Sequence, residues 1–175
     1  MGMAERISSS LDKTDLKILE ILQQNCKIRI SEISKMVGRG ISSVHARIKS
    51  LEKSGVITGY RCVIDPAHVD RATLAFILVR IRYRAPGSED VLSQRGFCKS
   101  IAQHPFVQEV HVLSGEFDVL LKVRTRNVKE MNSFIVDFLR EIPEVERTLT
   151  MFTMETYLET SEIRGLLNEG TISVN

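Results

Sequence analysis

Between positions 39 and 61 the chain gathers side chains suited to a polyanion. Arg39, Lys49, Lys53 and Arg61 are cations; Ser42, Ser43 and Ser50 carry hydroxyls; His45 and Arg47 carry planar nitrogen groups; Ala46 is a small residue among them. Cationic heads bond phosphate oxygens, whereas hydroxyl, imidazole and guanidinium groups also reach base edges in the major groove of double-stranded DNA. On this reading Arg39, Lys49, Lys53 and Arg61 hold phosphates, and Ser42, Ser43, His45 and Arg47 read bases, while Ala46 lets the backbone sit deep in the groove. From Cys26 to Arg61 eight Lys or Arg stand against two Glu, a local charge of +6. A charge run is often only a solvated face. Here the sign of the charge, the turn glycines and an apolar stripe agree, which favours the DNA reading.

Three helices position these groups. Asp12 is a suitable N-cap, with Asp15 as capping-box partner, for a helix to Gln24 whose apolar face is Leu11, Leu16, Ile18, Leu19 and Leu22. Ser31 is the expected N-cap of a second helix carrying Ile33 and Val37. Gly38-Arg39-Gly40 breaks it, because glycine supplies the positive φ of a sharp turn. The third helix bears Ile41, Val44, Ile48 and Leu51 as one stripe, and Gly55 ends it. The polar cluster then points away from that stripe. Val56–Ile64 suggests a hairpin turning at Thr58-Gly59, the wing of a winged helix, with Arg61 on it. Cys62 in that wing is expected to be a small buried hydrophobe rather than a redox switch.

Composition bounds the rest. A chain of 175 residues suffices for one large or two small domains. The net charge of +2 hides an asymmetry: residues 1–65 carry +4 and residues 66–175 carry −2, so only the basic head is suited to a polyanion. Cys26, Cys62 and Cys98 are widely spaced and odd in number, without a CxxC pattern, which points to a reducing compartment. No apolar run reaches the ~18 residues of a membrane span, and residues 1–10 lack the apolar core of a signal peptide. A soluble cytoplasmic protein with no membrane partner is expected. His68, His104 and His111 are scattered with no metal-ligand spacing, and no GxSxG, P-loop, HExxH or dinucleotide fingerprint occurs. No catalytic residue, metal or cofactor is therefore expected, and the chain does not read as an enzyme.

The second half has a different rhythm. Leu74–Tyr83 is a strand rich in β-branched and aromatic residues; Ser88 starts a helix to Gln103 with Val91, Cys98, Ile101 and Ala102 inward; Val107–Leu113 and Phe117–Thr125 are strands. Asn127 caps a helix with Val128, Met131, Ile135, Phe138 and Ile142 on one side, Pro143 ends it, and Arg147–Leu158 is the last strand. The order is the ferredoxin-like βαββαβ plan. The fold class is thus α+β: a winged helix-turn-helix at 11–65 after a flexible tail at 1–10, a linker at 66–72, a ferredoxin-like domain at 73–160 and a tail at 161–175. Leu74, Phe76 and Leu78 fall on the sheet face away from the helices. An apolar open face is an association surface, so a homodimer with packed sheets is expected, its two recognition helices meeting two half-sites.

LDKTDLKILEIL, then VGRGISSVHARIKSLEKSGVITGY with its trailing Asp65-Pro66, and finally HPFVQEVHVLSGEFDVLL within the βαββαβ module resemble the leucine-responsive/asparagine regulator family, Lrp/AsnC. The likeness covers about residues 11–160. It implies a transcription regulator that forms dimers and higher assemblies such as octamers, and that binds an amino acid where dimers meet. It carries the effector site onto the turn Leu113, Ser114, Gly115, Glu116, Phe117 and Asp118, with hydroxyls from Thr148 and Thr150 of a neighbouring subunit. Gly115 would let backbone N–H groups approach a ligand carboxylate, and Asp118 would receive an ammonium. Where the family often has Leu and Ser, this chain has Arg39 and Gly40, which weakens the cap of the third helix and makes Arg39 a phosphate contact.

Three function classes are open. The leading one is a sequence-specific DNA-binding regulator whose oligomeric C-terminal domain binds a small effector, an amino acid. The alternative is a DNA-binding regulator or architectural protein whose C-terminal module only oligomerises. The third, an enzyme or an RNA binder on the ferredoxin-like sheet, is disfavoured, because RNA recognition there needs exposed aromatics for base stacking and Leu74 and Leu78 are aliphatic.

Overall fold

The computed structural model describes residues 11–84 and 91–167. They form two compact units, one of residues up to Val63 together with the chain from Glu159 onward, the other Ile64–Leu158. The expected loose tail at 1–10, the turn at Pro86-Gly87 and the helix cap at Ser88 lie outside the described residues.

The first unit holds α1 (Lys13–Gln24), α2 (Ile30–Val37) and α3 (Ile41–Lys53). At α1 the capping box forms as expected: the Asp15 N–H donates to Asp12 Oδ1 at 2.8 Å and the Asp12 N–H to Asp15 Oδ2 at 3.2 Å. At α2 the cap moves. Arg29, not Ser31, is the N-cap, and the Glu32 carboxylate accepts the Arg29 N–H at 3.4 Å. Glu32 reaches back as the third residue of the helix, which places Ser31 two positions inside the cap. Gly38 ends α2 at φ +65°, where a Cβ would strain the turn. Ile18, Ile21, Ile33, Val44, Ile48 and Leu51 make the core, with Leu19, Leu22, Val37, Val56 and Ile57 packed around it. Ile41, expected in the stripe, is exposed in the first turn of α3. Among the described residues 56–65 no strand ladder forms. Only Val56 and Ile57 precede Thr58-Gly59, too few to build one arm of a hairpin, and residues 58–65 carry no regular structure. Cys62 is exposed there rather than buried. Residues of the last segment return to α1: the Ile163 N–H donates to Gln23 Oε1 at 2.7 Å, and the Gln23 amide donates to the Ile163 carbonyl at 3.1 Å.

A short 3-10 turn, Pro66–Val69, capped by the Asp65 side chain, opens the second unit. Then come β1 (Thr73–Ile81), α4 (Gln94–Ile101), β2 (Val107–Val112), β3 (Val119–Thr125), α5 (Val128–Ser133) and β4 (Val145–Phe152). The sheet order β2-β3-β1-β4 is fully antiparallel, the ferredoxin-like plan. Ala75, Ile77, Val79 and Ile81 of β1 and Val119, Leu121 and Val123 of β3 face the helices and are buried. α4 starts at Ser93, whose hydroxyl accepts the Gly96 N–H at 3.0 Å. Phe97, not Val91 or Ala102, joins Ile101 in the core, and Val91 is exposed.

The helix after Asn127 is α-helical for only six residues, then passes through a π turn, Phe134–Phe138, and a 3-10 turn, Leu139–Glu141. A π turn inserts about one residue into the helical count and so rotates every later position about the axis. Leu139 therefore takes the buried place that a regular period assigns to Phe138, which is part-exposed, as is Val128 at the helix start. On the open face of the sheet Leu78 lies between Leu120 and Leu149, and Phe76 between Lys122 and Met151.

Candidate DNA-binding face and effector turn

The outward side of α3 is set by burial of Val44, Ile48 and Leu51 on its other side. Ser42, Ser43, His45, Ala46, Lys49, Ser50 and Lys53 are all exposed, as are Arg39 in the α2–α3 turn and Arg61 in the irregular segment after α3. No side chain caps α3, since Gly40 stands at its N-cap. Its first N–H groups are left for solvent or an anion, as helix N-termini favour.

Arg47 departs from the expectation. It follows Val44 by three and precedes Ile48 and Leu51, so it sits at the edge of the buried stripe. Its Nη1 lies 2.7 Å from Asp12 Oδ2 and 2.7 Å from Asp15 Oδ1. The guanidinium thus closes the capping box of α1. The Asp15 backbone N–H, with help from Arg47, holds the Asp12 carboxyl below the usual carboxylate range. Lys49 is exposed but donates to Glu52 at 3.1 Å, and Glu52 also accepts from Tyr60 Oη at 3.0 Å. Lys49 and Tyr60 together hold the Glu52 carboxyl low. This trio steadies the segment after α3 and leaves Lys49 partly neutralised.

In the second unit the turn 113–118 joins β2 to β3. Leu113, Ser114, Gly115 and Glu116 are exposed, and Phe117 and Asp118 half-buried. Gly115 has φ +146°, open to glycine, and no atom stands where a Cβ would go. Asp118 is occupied from within. Its Oδ2 accepts the Ile81 N–H at 2.7 Å, and its Oδ1 accepts Tyr83 Oη at 2.9 Å. The carboxylate therefore bolts the turn to the end of β1, and Tyr83 is held above its ordinary pKa chiefly by that bond.

Thr148 pairs with Val79 across β1 and β4, in the row where Val79 also meets Val119. It lies at the same end of the sheet as the turn. Thr150 lies one inward-facing position further along, opposite Ile77. Thr148 lines a cleft with Arg82, Arg140 and Arg147, and Arg140 Nε donates to its hydroxyl at 3.4 Å. Arg147 approaches Glu116 at 3.9 Å and lies 5.8 Å from the centre of the Phe117 ring. Sequence reading missed Tyr83, Arg82 and Arg140. The alternation Arg80, Arg82, Arg84 at the end of β1 was the available signal for the first arginine; nothing local marks Arg140.

Two family models match the chain: a winged helix-turn-helix DNA-binding model over residues 11–58 and the Lrp/AsnC ligand binding domain over residues 74–163. The chain belongs to the Lrp/AsnC family. An HTH-type transcriptional regulator of Pyrococcus horikoshii, FL11, is 39% identical over 153 residues, 87% of this chain and 95% of that protein. The leucine-responsive regulatory protein of Haemophilus influenzae is 35% identical over 159 residues, 91% of this chain and 93% of that one. Among solved structures, a transcriptional regulator from Neisseria meningitidis in complex with L-Met superposes with a TM-score of 0.80 at 29% identity, covering 88% of this chain and 96% of that one. This Lrp/AsnC chain is accordingly a transcriptional regulator with a helix-turn-helix for DNA and a ligand-binding domain, and not an enzyme. No helix among the described residues is long and apolar enough to cross a membrane.

Proposed function

We propose that the chain is a sequence-specific regulator that reads DNA with α3 and changes its assembly when an amino acid binds near the turn 113–118. The exposed, carboxylate-free run Ser42–Ser50 on a helix whose opposite side is core carries the DNA half of this reading. Ser42, Ser43 and His45 read bases, with Ala46 and Ser50 beside them; Arg39, Lys49, Lys53 and Arg61 hold phosphates. Residues 11–65 act as the DNA-binding domain and 73–160 as the effector and assembly domain.

The open turn at Gly115 supports the effector half. Backbone N–H groups of 114–116 offer a carboxylate site, and Thr148 adds a hydroxyl from a neighbouring subunit. Asp118 holds the turn in place and keeps free lone pairs for an ammonium. The regulator of Neisseria meningitidis, solved with L-Met, makes an amino acid the first ligand class to test.

Phe76, Leu78, Leu120, Leu149 and Met151 form the centre of the open sheet face, and Leu149 and Met151 are over two-fifths exposed. That face is the proposed homodimer surface, from which octamers assemble. The protein acts in the cytoplasm, where its operators are.

Randomised-site selection followed by operator binding across an amino-acid panel tests the reading. Paired half-sites about one helical turn apart, and a shift in affinity, stoichiometry or Tm with one amino acid, are expected. Paired half-sites with no response to any amino acid would favour a module that only oligomerises.

A further inference from the structure

We propose that Cys26 and Cys62 are the partners of a reversible, peroxide-driven disulfide that closes the chain around α2 and α3. Cys26 Sγ lies 4.0 Å from the carbonyl oxygen of Arg61, the residue bonded to Cys62. Both thiols are exposed. A disulfide needs Cα atoms roughly 4.4–6.8 Å apart, and the contact of Cys26 Sγ with the peptide unit that leads into Cys62 makes the two cysteines neighbours. Both ends sit where a backbone shift costs little. Cys26 is in the turn after α1, and Cys62 is in the irregular segment that has no strand ladder. Cys98 is different: it is half-buried against the core of the second unit, and that burial raises its thiol pKa, which slows its oxidation. The pair makes no use of the effector turn, so this inference stands apart from the ligand proposal.

The chemistry needs only a peroxide as oxidant. One thiolate attacks the peroxide O–O bond, an S–O bond forms, and the departing hydroxide takes a proton to become water. The second sulfur then attacks the sulfenic sulfur, the S–S bond forms, and the second oxygen leaves as water. Two thiols lose two protons and two electrons, and one hydrogen peroxide becomes two waters. A dithiol reductant reverses the bond by exchange.

The consequence falls on Arg61. Its carbonyl already faces Cys26, while its side chain is exposed on a segment that lacks a ladder. The cross-link would hold that backbone before DNA arrives, so less ordering remains to be imposed on binding.

The test treats the full chain with hydrogen peroxide, alkylates the remaining thiols and maps the peptides. The expected result is a peptide joining Cys26 to Cys62 within one chain, an alkylated Cys98, a higher Tm and several-fold tighter duplex binding, all reversed by dithiothreitol. In Cys62→Ser a sulfenic acid at Cys26, trapped by dimedone, should replace the cross-link, with no gain in Tm or affinity; Cys98→Ser should behave as the parent. Bonds only between chains, sulfenic acids that persist on both cysteines of the parent, or a cross-linked form that binds DNA no more tightly would overturn the proposal.

Discussion

Arg47 and Lys49 are two residues apart on one helix, yet their surroundings assign them opposite jobs. Arg47 is spent on Asp12 and Asp15. Arg47→Ala should lower the Tm of the helical unit and leave the base preference of selected sites unchanged; Ser43→Ala should do the reverse. Lys49 is exposed and only loosely paired, so Lys49→Ala should weaken binding to all sequences and reduce the slope of log affinity against log salt by about one. An unchanged slope in a salt titration would place α3 away from the phosphates. Asp118 accepts the Ile81 N–H from a half-buried position, and leaving that donor unmet costs about 1–3 kcal/mol. Asp118→Ala should therefore lower the Tm of the ligand-binding unit as well as its effector response, and Asp118→Asn, which keeps an acceptor, should restore much of the Tm. Scanning calorimetry of the two variants separates those contributions.

At the scale of elements, the loop between α4 and β2 is anchored to the π turn by an aromatic cluster. The His104 ring packs 4.7 Å from Phe134 and 4.6 Å from Phe138, centre to centre, and its Nδ1 accepts the Phe106 N–H at 3.2 Å. Burial lowers the His104 pKa, so the folded state binds a proton less readily than the unfolded one. The stability this gives is present above the free value of about 6.5 and is lost as pH falls through and below it. Melting curves between about pH 7 and pH 5 should show a falling Tm that flattens in His104→Gln. The carboxyls of Asp12, Glu52, Asp65 and Glu109, all held low, lose their contribution only on further acidification. Elements also show where local pattern misleads. The apolar period after Asn127 marks a helix, but the π turn exchanges Phe138 for Leu139 inside. No single-residue signal announces that exchange, because it depends on how α5 closes on β3 and how the 3-10 turn after the π turn closes on β4.

For the whole molecule, the open sheet face is the decisive surface. Its apolar residues are flanked by Glu109 and Lys122 on one side and by Arg80 and Arg147 at the end of β1 and β4. Leu149→Glu puts a charge among those apolar residues without touching the buried face. Light scattering should then report a monomer with an unchanged far-ultraviolet spectrum, and binding to paired half-sites should lose its cooperativity. A variant that still forms the parent assembly would move the interface elsewhere.

Periodicity and caps along the chain determined the three-helix head, the capping box at Asp12 and Asp15, the exposed basic side of α3, the βαββαβ order and the burial alternation of β1 from Ala75 to Ile81, though not the burial of Leu74, which the alternation assigns to the open face. Each of these depends on neighbours within a turn or on strict alternation, which are local physics. Tertiary structure decided that Arg47 meets the cap of α1, that Asp118 is bonded by Ile81 and Tyr83, that Arg140 joins Thr148 in a cleft, and that Cys62 lies exposed near Cys26. Those outcomes rest on contacts between residues 8 to 37 positions apart, whose geometry is set only once the cores have closed.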